Sequence, residues 1–122
     1  MKQTLEISYS HYSSLEELEQ EDLTLVREAQ EATNNAHAKY SGFHVGAAVR
    51  LKSGLTLHAS NFESEVYPAG LCAERSLLFY VESNHANDPI EVLAIASNPS
   101  ERECYPCGQC RQVIVDVERR QQ

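Results

Sequence analysis

Two short segments carry residues able to do metal and proton chemistry: Cys72-Ala73-Glu74-Arg75, and Pro106-Cys107-Gly108-Gln109-Cys110-Arg111-Gln112. Thiolates from Cys72, Cys107 and Cys110 would hold zinc and leave its fourth tetrahedral position open to water, the arrangement of a catalytic rather than a structural site. Each segment opens a predicted helix, whose unpaired N–H groups and roughly half a unit of positive charge favour thiolate over thiol. Glu74, two residues after a ligand, is what catalysis adds: a carboxylate there can take a proton from activated water, deliver it to a substrate and later protonate a leaving group. Three thiolates outweigh the charge of a dication and weaken it as a Lewis acid, and Arg75 and Arg111 are the cations near enough in sequence to offset them. A closed four-thiolate site including Cys104 is the competing arrangement. It is disfavoured because structural sites pair two short CxxC units and Cys72 stands alone. The five histidines have no zinc-ligand spacing.

The elements that must position these residues are legible from period and punctuation. Leu25, Ala29, Ala32 and Ala36 step along one helical face until Ser41-Gly42 interrupts it. Val45, Ala47, Val49 and Leu51 alternate, Lys52-Ser53-Gly54 has turn chemistry, and Leu55, Leu57 and Ala59 alternate again, which predicts a β-hairpin. A second helix begins at or beside Cys72, with Ala73, Leu77 and Val81 on one side. The run Ile90-Glu-Val-Leu-Ala-Ile-Ala96, closed by Asn98-Pro99, has the composition of a strand buried on both faces. Pro106 suits a helix start, and Cys110, Val113, Ile114 and Val117 follow at helical spacing, although Val113, Val115 and Val117 also alternate as a strand would. Helix is preferred, and the order α, β, β, α, β, α implies a layered sheet. Residues 1–22 read as a polar N-terminal arm or a helix's solvated start, and residues 23–122 as one zinc-dependent domain.

Composition narrows the partners. With 122 residues the chain fits one domain. Its 18 acidic and 10 basic residues leave a formal charge of −8, which repels phosphate backbones and anionic lipid. Nucleic acid and membrane are therefore not expected partners, and no apolar run approaches a membrane span. The amino terminus MKQTLEISYS lacks the apolar segment of a secretory signal, so a reducing, cytoplasmic setting is expected, in which clustered cysteines serve as metal ligands rather than disulfides.

At Cys-Ala-Glu and Pro-Cys-Gly-Gln-Cys the sequence resembles the cytidine deaminase family, whose zinc signature joins a ligand-x-Glu unit to Pro-Cys-x-x-Cys. The resemblance extends upstream: Tyr40-Ser41-Gly42-Phe43-His44-Val45-Gly46-Ala47-Ala48-Val49 is similar to the entrance of the family's first strand, and Asn61-Phe62-Glu63 to its ribose-binding segment. It implies that Cys72, Cys107 and Cys110 bind one Zn2+ per subunit and that Glu74 shuttles protons. Arg75 would bond the ligand thiolates, Phe43 pack against the pyrimidine, and the Ala73 backbone contact the base. Asn61 and Glu63 would grip the sugar hydroxyls, and Tyr67 lie near a subunit interface. The implied reaction is hydrolytic deamination of free cytidine and deoxycytidine at C4 for pyrimidine salvage. The implied fold is a three-layer α/β/α sandwich with a mixed sheet, assembled as a homo-oligomer, a dimer or tetramer. Family members continue past the second zinc helix into two further strands, whereas twelve residues follow Cys110 here, so these strands are expected to be missing. Two other readings are a deaminase of a related cytosine nucleoside, such as an aminoacylnucleoside antibiotic, and a catalytically impaired, zinc-stabilised assembly module.

Overall fold

The computed structural model describes all 122 residues. Helices α1 (Gln20–Ala32), α2 (Ala73–Asn84) and α3 (Gly108–Gln121) alternate with strands β1 (His44–Leu51), β2 (Thr56–Ser60) and β3 (Ile90–Asn98). The strands form one sheet in the order β2-β1-β3. On one face, Leu25 and Ala29 of α1 pack with Ala48 of β1 and Ala94 of β3. On the other, Ala73, Leu77 and Val81 of α2 pack with Ala47, Val49 and Leu51 of β1. The alternating side chains of β1 thus feed both cores, and its residues 46–49 are all buried. Helix α3 lies beside α2, joined to it by the Arg120–Glu82 ion pair. The Gln121 amide holds α3 to the sheet, accepting from the Ile90 N–H at 2.8 Å and donating to the Ile90 carbonyl at 3.2 Å. The result is the three-layer α/β/α arrangement.

Several expectations are corrected. The sheet is antiparallel throughout, not mixed: β1 pairs antiparallel with both neighbours. A parallel pair needs a crossover into another strand, and no strand follows α3 in these 122 residues. β3, expected to be buried on both faces, is an edge strand with only Ala94 fully buried, and β1 takes the central place. The first helix begins at Gln20, with Glu21 and Asp22 in its first turn, where carboxylates favour the positive end of the helix. It ends at Ala32, and a 3-10 turn over Thr33–Asn35 carries Ala36 out of it. The ambiguous 113–118 stretch is helical: Cys110 and Val117 are buried on one side while Val115 faces solvent.

Gly46 is where α1 meets β1 backbone to backbone. A Cβ built there would stand 2.0 Å from the Ala29 carbonyl oxygen. Gly46→Ala is therefore expected to force α1 off the sheet, at a cost of about 1–3 kcal/mol or more. Urea unfolding checks this, and a midpoint indistinguishable from wild type would show that the contact is not tight.

Candidate active site

Two helix starts converge on one point. Cys72 is the N-cap of α2 and Cys107 the N-cap of α3, while Cys110 lies in the first turn of α3 and is fully buried. Their sulfurs all lie within 4.8 Å of one another, and the Cys72 and Cys107 sulfurs are 3.8 Å apart. Tetrahedral zinc with bonds of about 2.3 Å places its sulfur ligands about 3.8 Å apart, so this spacing fits the ion. The Cys107 sulfur accepts the Cys110 N–H at 3.4 Å. That bond, with help from the Gln109 N–H, draws the Cys107 thiol below its ordinary pKa. Burial pushes the Cys110 thiol up to about 12, so without a cation it stays protonated.

Arg75 supplies the compensating charge from the first turn of α2. Its Nη2 donates to the Cys72 sulfur at 3.4 Å, and bonds to Cys72 and then Cys110 hold the guanidinium firmly charged. Its Nε is buried with no partner, a cost that the thiolate contacts must offset. Arg111 does not share this role. Its side chain is exposed, and its N–H makes the first intrahelical bond of α3, to the Cys107 carbonyl at 2.9 Å. Cys104 stays outside the three-sulfur cluster. Half-buried beside Ser97, its thiol is raised by burial and then by the Glu74 charge.

Glu74 is only 4% exposed, an unusual place for a carboxylate. It follows Cys72 by two residues in the first turn of α2, and its charge raises the thiols of both Cys110 and Cys104. Ala73 is wholly buried and begins α2. An open cleft of about 1020 Å³ runs from Cys72, Arg75 and Cys107 to Asn61 and Glu63; Phe43 and Glu74 lie outside its lining. Tyr67 stands almost fully exposed at its rim.

Asn61 and Glu63 have partners that their sequence positions did not reveal. The Asn61 Oδ1 accepts the Val45 N–H at 2.8 Å, and its Nδ2 donates to the Phe43 carbonyl at 3.0 Å. The Glu63 Oε1 accepts the N–H groups of Tyr40 and Ser41, both at 3.1 Å. The Ser41 hydroxyl and N–H hold the Glu63 carboxyl below its usual range. Both side chains therefore brace the turn that carries Phe43, in which Gly42 takes a left-handed φ of 69°. The Asn-x-Glu spacing is a signal for this, since alternate residues of an extended segment face one way.

An α/β sandwich with three cysteines around an ion-sized space defines a zinc-binding enzyme domain. Residues 19–121 match the family model described as the cytidine and deoxycytidylate deaminase zinc-binding region. The chain is 37% identical over 93 residues to a cytidine deaminase of Halalkalibacterium halodurans, covering 76% of this chain and 69% of that one. It is 31% identical over 105 residues to a blasticidin-S deaminase of Bacillus cereus, covering 81% and 74%. The crystal structure of a cytidine deaminase from Burkholderia pseudomallei superposes with a TM-score of 0.68 at 34% identity, covering 75% of this chain and 72% of that one. The chain belongs to the cytidine and deoxycytidylate deaminase family, a family of zinc-dependent hydrolases.

Because the ligands bind zinc as thiolates, protons compete with the metal and apparent affinity falls as pH falls. Acidification from about pH 7.5 to 5.5 is expected to weaken zinc binding at least about tenfold in chelator competition. A pH-independent affinity would contradict a thiolate ligand set.

Proposed function

We propose that the protein deaminates free cytidine and deoxycytidine to uridine and deoxyuridine, releasing ammonia, in cytoplasmic pyrimidine salvage. The observation that carries this reading is Glu74, a carboxylate 4% exposed in the first turn of α2, two residues after Cys72, whose charge acts on the Cys110 thiol. Zinc held by Cys72, Cys107 and Cys110 supplies the Lewis acidity that makes water a nucleophile near neutral pH. Glu74 accepts one proton of the attacking water and passes it to N3 of the cytosine ring as C4 becomes tetrahedral; it then takes the second proton from the new C4 hydroxyl and delivers it to the amino group, so that ammonia leaves as the C4 carbonyl forms. Arg75 offsets the thiolate charge, so that the site does not become too negative to release that proton.

Phe43 packs against the pyrimidine and the Ala73 backbone contacts the base. Asn61 keeps one amide hydrogen and one lone pair beyond its two backbone bonds, and Glu63 keeps Oε2, enough to hold sugar hydroxyls. The formal charge of −8 supports a small substrate over a polynucleotide. Residues 23–122 act as the deaminase domain and residues 1–22 as an N-terminal arm that ends in the solvated start of α1. The aromatic side chains of Tyr40, Phe62 and Tyr67, exposed at the cleft, support assembly as a homo-oligomer, a dimer or tetramer. The likeness to the Bacillus cereus blasticidin-S deaminase favours one second reading, a cytosine-bearing aminoacylnucleoside as substrate. Faster turnover of such an antibiotic than of cytidine would select it.

Glu74→Ala is expected to retain zinc while losing about 10²–10⁴-fold in kcat/KM for cytidine, read as the ultraviolet change from cytosine to uracil. Activity within threefold of wild type would remove Glu74 from the reaction.

A further inference from the structure

The base platform has a backbone that is held and a ring that is not. Phe43 donates its N–H to the Ser41 hydroxyl at 3.0 Å and offers its carbonyl to Asn61. Its ring is half-buried and belongs to neither hydrophobic core. The Arg102 guanidinium stands over that ring, 5.9 Å from its centroid. Arg102 belongs to the connection 99–107 between β3 and α3, which is anchored at its far end by Cys107 in the metal cluster. Although Glu101 and Glu103 flank it, none of the chain's ion pairs involves Arg102. Its charge also reaches the Cys104 thiol two residues on.

We infer that Arg102 is a positioning residue, whose cation–π contact from the 99–107 connection fixes the Phe43 ring as the platform for the substrate base. The inference rests on the deaminase reading for its kinetic consequence, though not for the contact itself. A cation over an aromatic face is held by the ring's quadrupole. It also occupies one face, leaving the other face and the edge for the base. Holding the ring lowers the ordering cost of binding and leaves the proton transfers untouched, so the effect falls on KM rather than kcat.

The test is a double-mutant cycle on the zinc-loaded protein with Arg102→Ala, Arg102→Lys and Phe43→Leu. Arg102→Ala is expected to raise KM for cytidine about two- to fivefold with kcat within twofold, and Arg102→Lys to recover part of the loss. In a Phe43→Leu background, Arg102→Ala is expected to add nothing. Thermal unfolding of wild type, Arg102→Ala, Phe43→Leu and the double variant reads the contact without turnover: Arg102→Ala should lower Tm by about 2–4 °C only when Phe43 is present. Additive effects on both KM and Tm overturn the inference. So does a KM change confined to cytidine 5′-monophosphate, which would make Arg102 a reader of substrate charge. If wild type converts no cytosine nucleoside, the deaminase reading fails, and the Tm cycle alone decides whether Arg102 holds the ring.

Discussion

Three sulfur ligands gathered within 4.8 Å of one another repel each other as soon as they ionise, and the rest of the fold answers that repulsion. Two helix starts aim their N–H groups and positive ends at the cluster, from α2 through Cys72 and from α3 through Cys107. Arg75 adds a full positive charge from within α2. The core exists to bring those two starts together. α2 is fixed by packing Ala73, Leu77 and Val81 on β1, and α3 is fixed against α2 and tied to β3 by Gln121. Zinc held by the three sulfurs would offset that repulsion, and metal binding to the folded state alone would add to folding free energy.

A second set of interactions serves the substrate side. The segment 37–45 and the segment 61–63 run alongside each other. Main-chain bonds join them, from the His37 N–H to the Asn61 carbonyl and from the Glu63 N–H to the His37 carbonyl. Asn61 and Glu63 complete the join with their side chains. A residue that grips a sugar must itself be held, and here the bonds that hold it also shape the turn around Phe43. Pre-organisation of this kind keeps contact geometry within the tolerance that binding requires.

The parts of the molecule written in short-range chemistry were legible in the sequence. The helical period of Ala73, Leu77 and Val81 and the alternation around Gly54 reported local structure correctly; Pro106, read as the first helical residue, instead precedes the Cys107 N-cap, because the Cys107 sulfur takes the capping bond and α3 begins at Gly108. Family membership followed from the spacing of Cys72, Glu74, Cys107 and Cys110. What the sequence concealed depends on distance in the chain. β3 reads as a central strand because its residues are apolar on both sides, yet its neighbours decide its place, and here it has one neighbour. Arg75 and Arg111 are equivalent as isolated arginines next to ligands, but helix geometry turns the first toward the sulfurs and the second toward water. The contacts of Asn61, Glu63 and Arg102 link residues 16 to 59 positions apart through a turn, and no periodicity encodes those.

An open fourth position on the metal is the claim from which the chemistry follows. Zinc K-edge X-ray absorption of the purified, zinc-loaded protein tests it directly. Three sulfurs at about 2.3 Å and one oxygen or nitrogen scatterer are the predicted shell. Four sulfurs, with Cys104 drawn in to close the site, would contradict it.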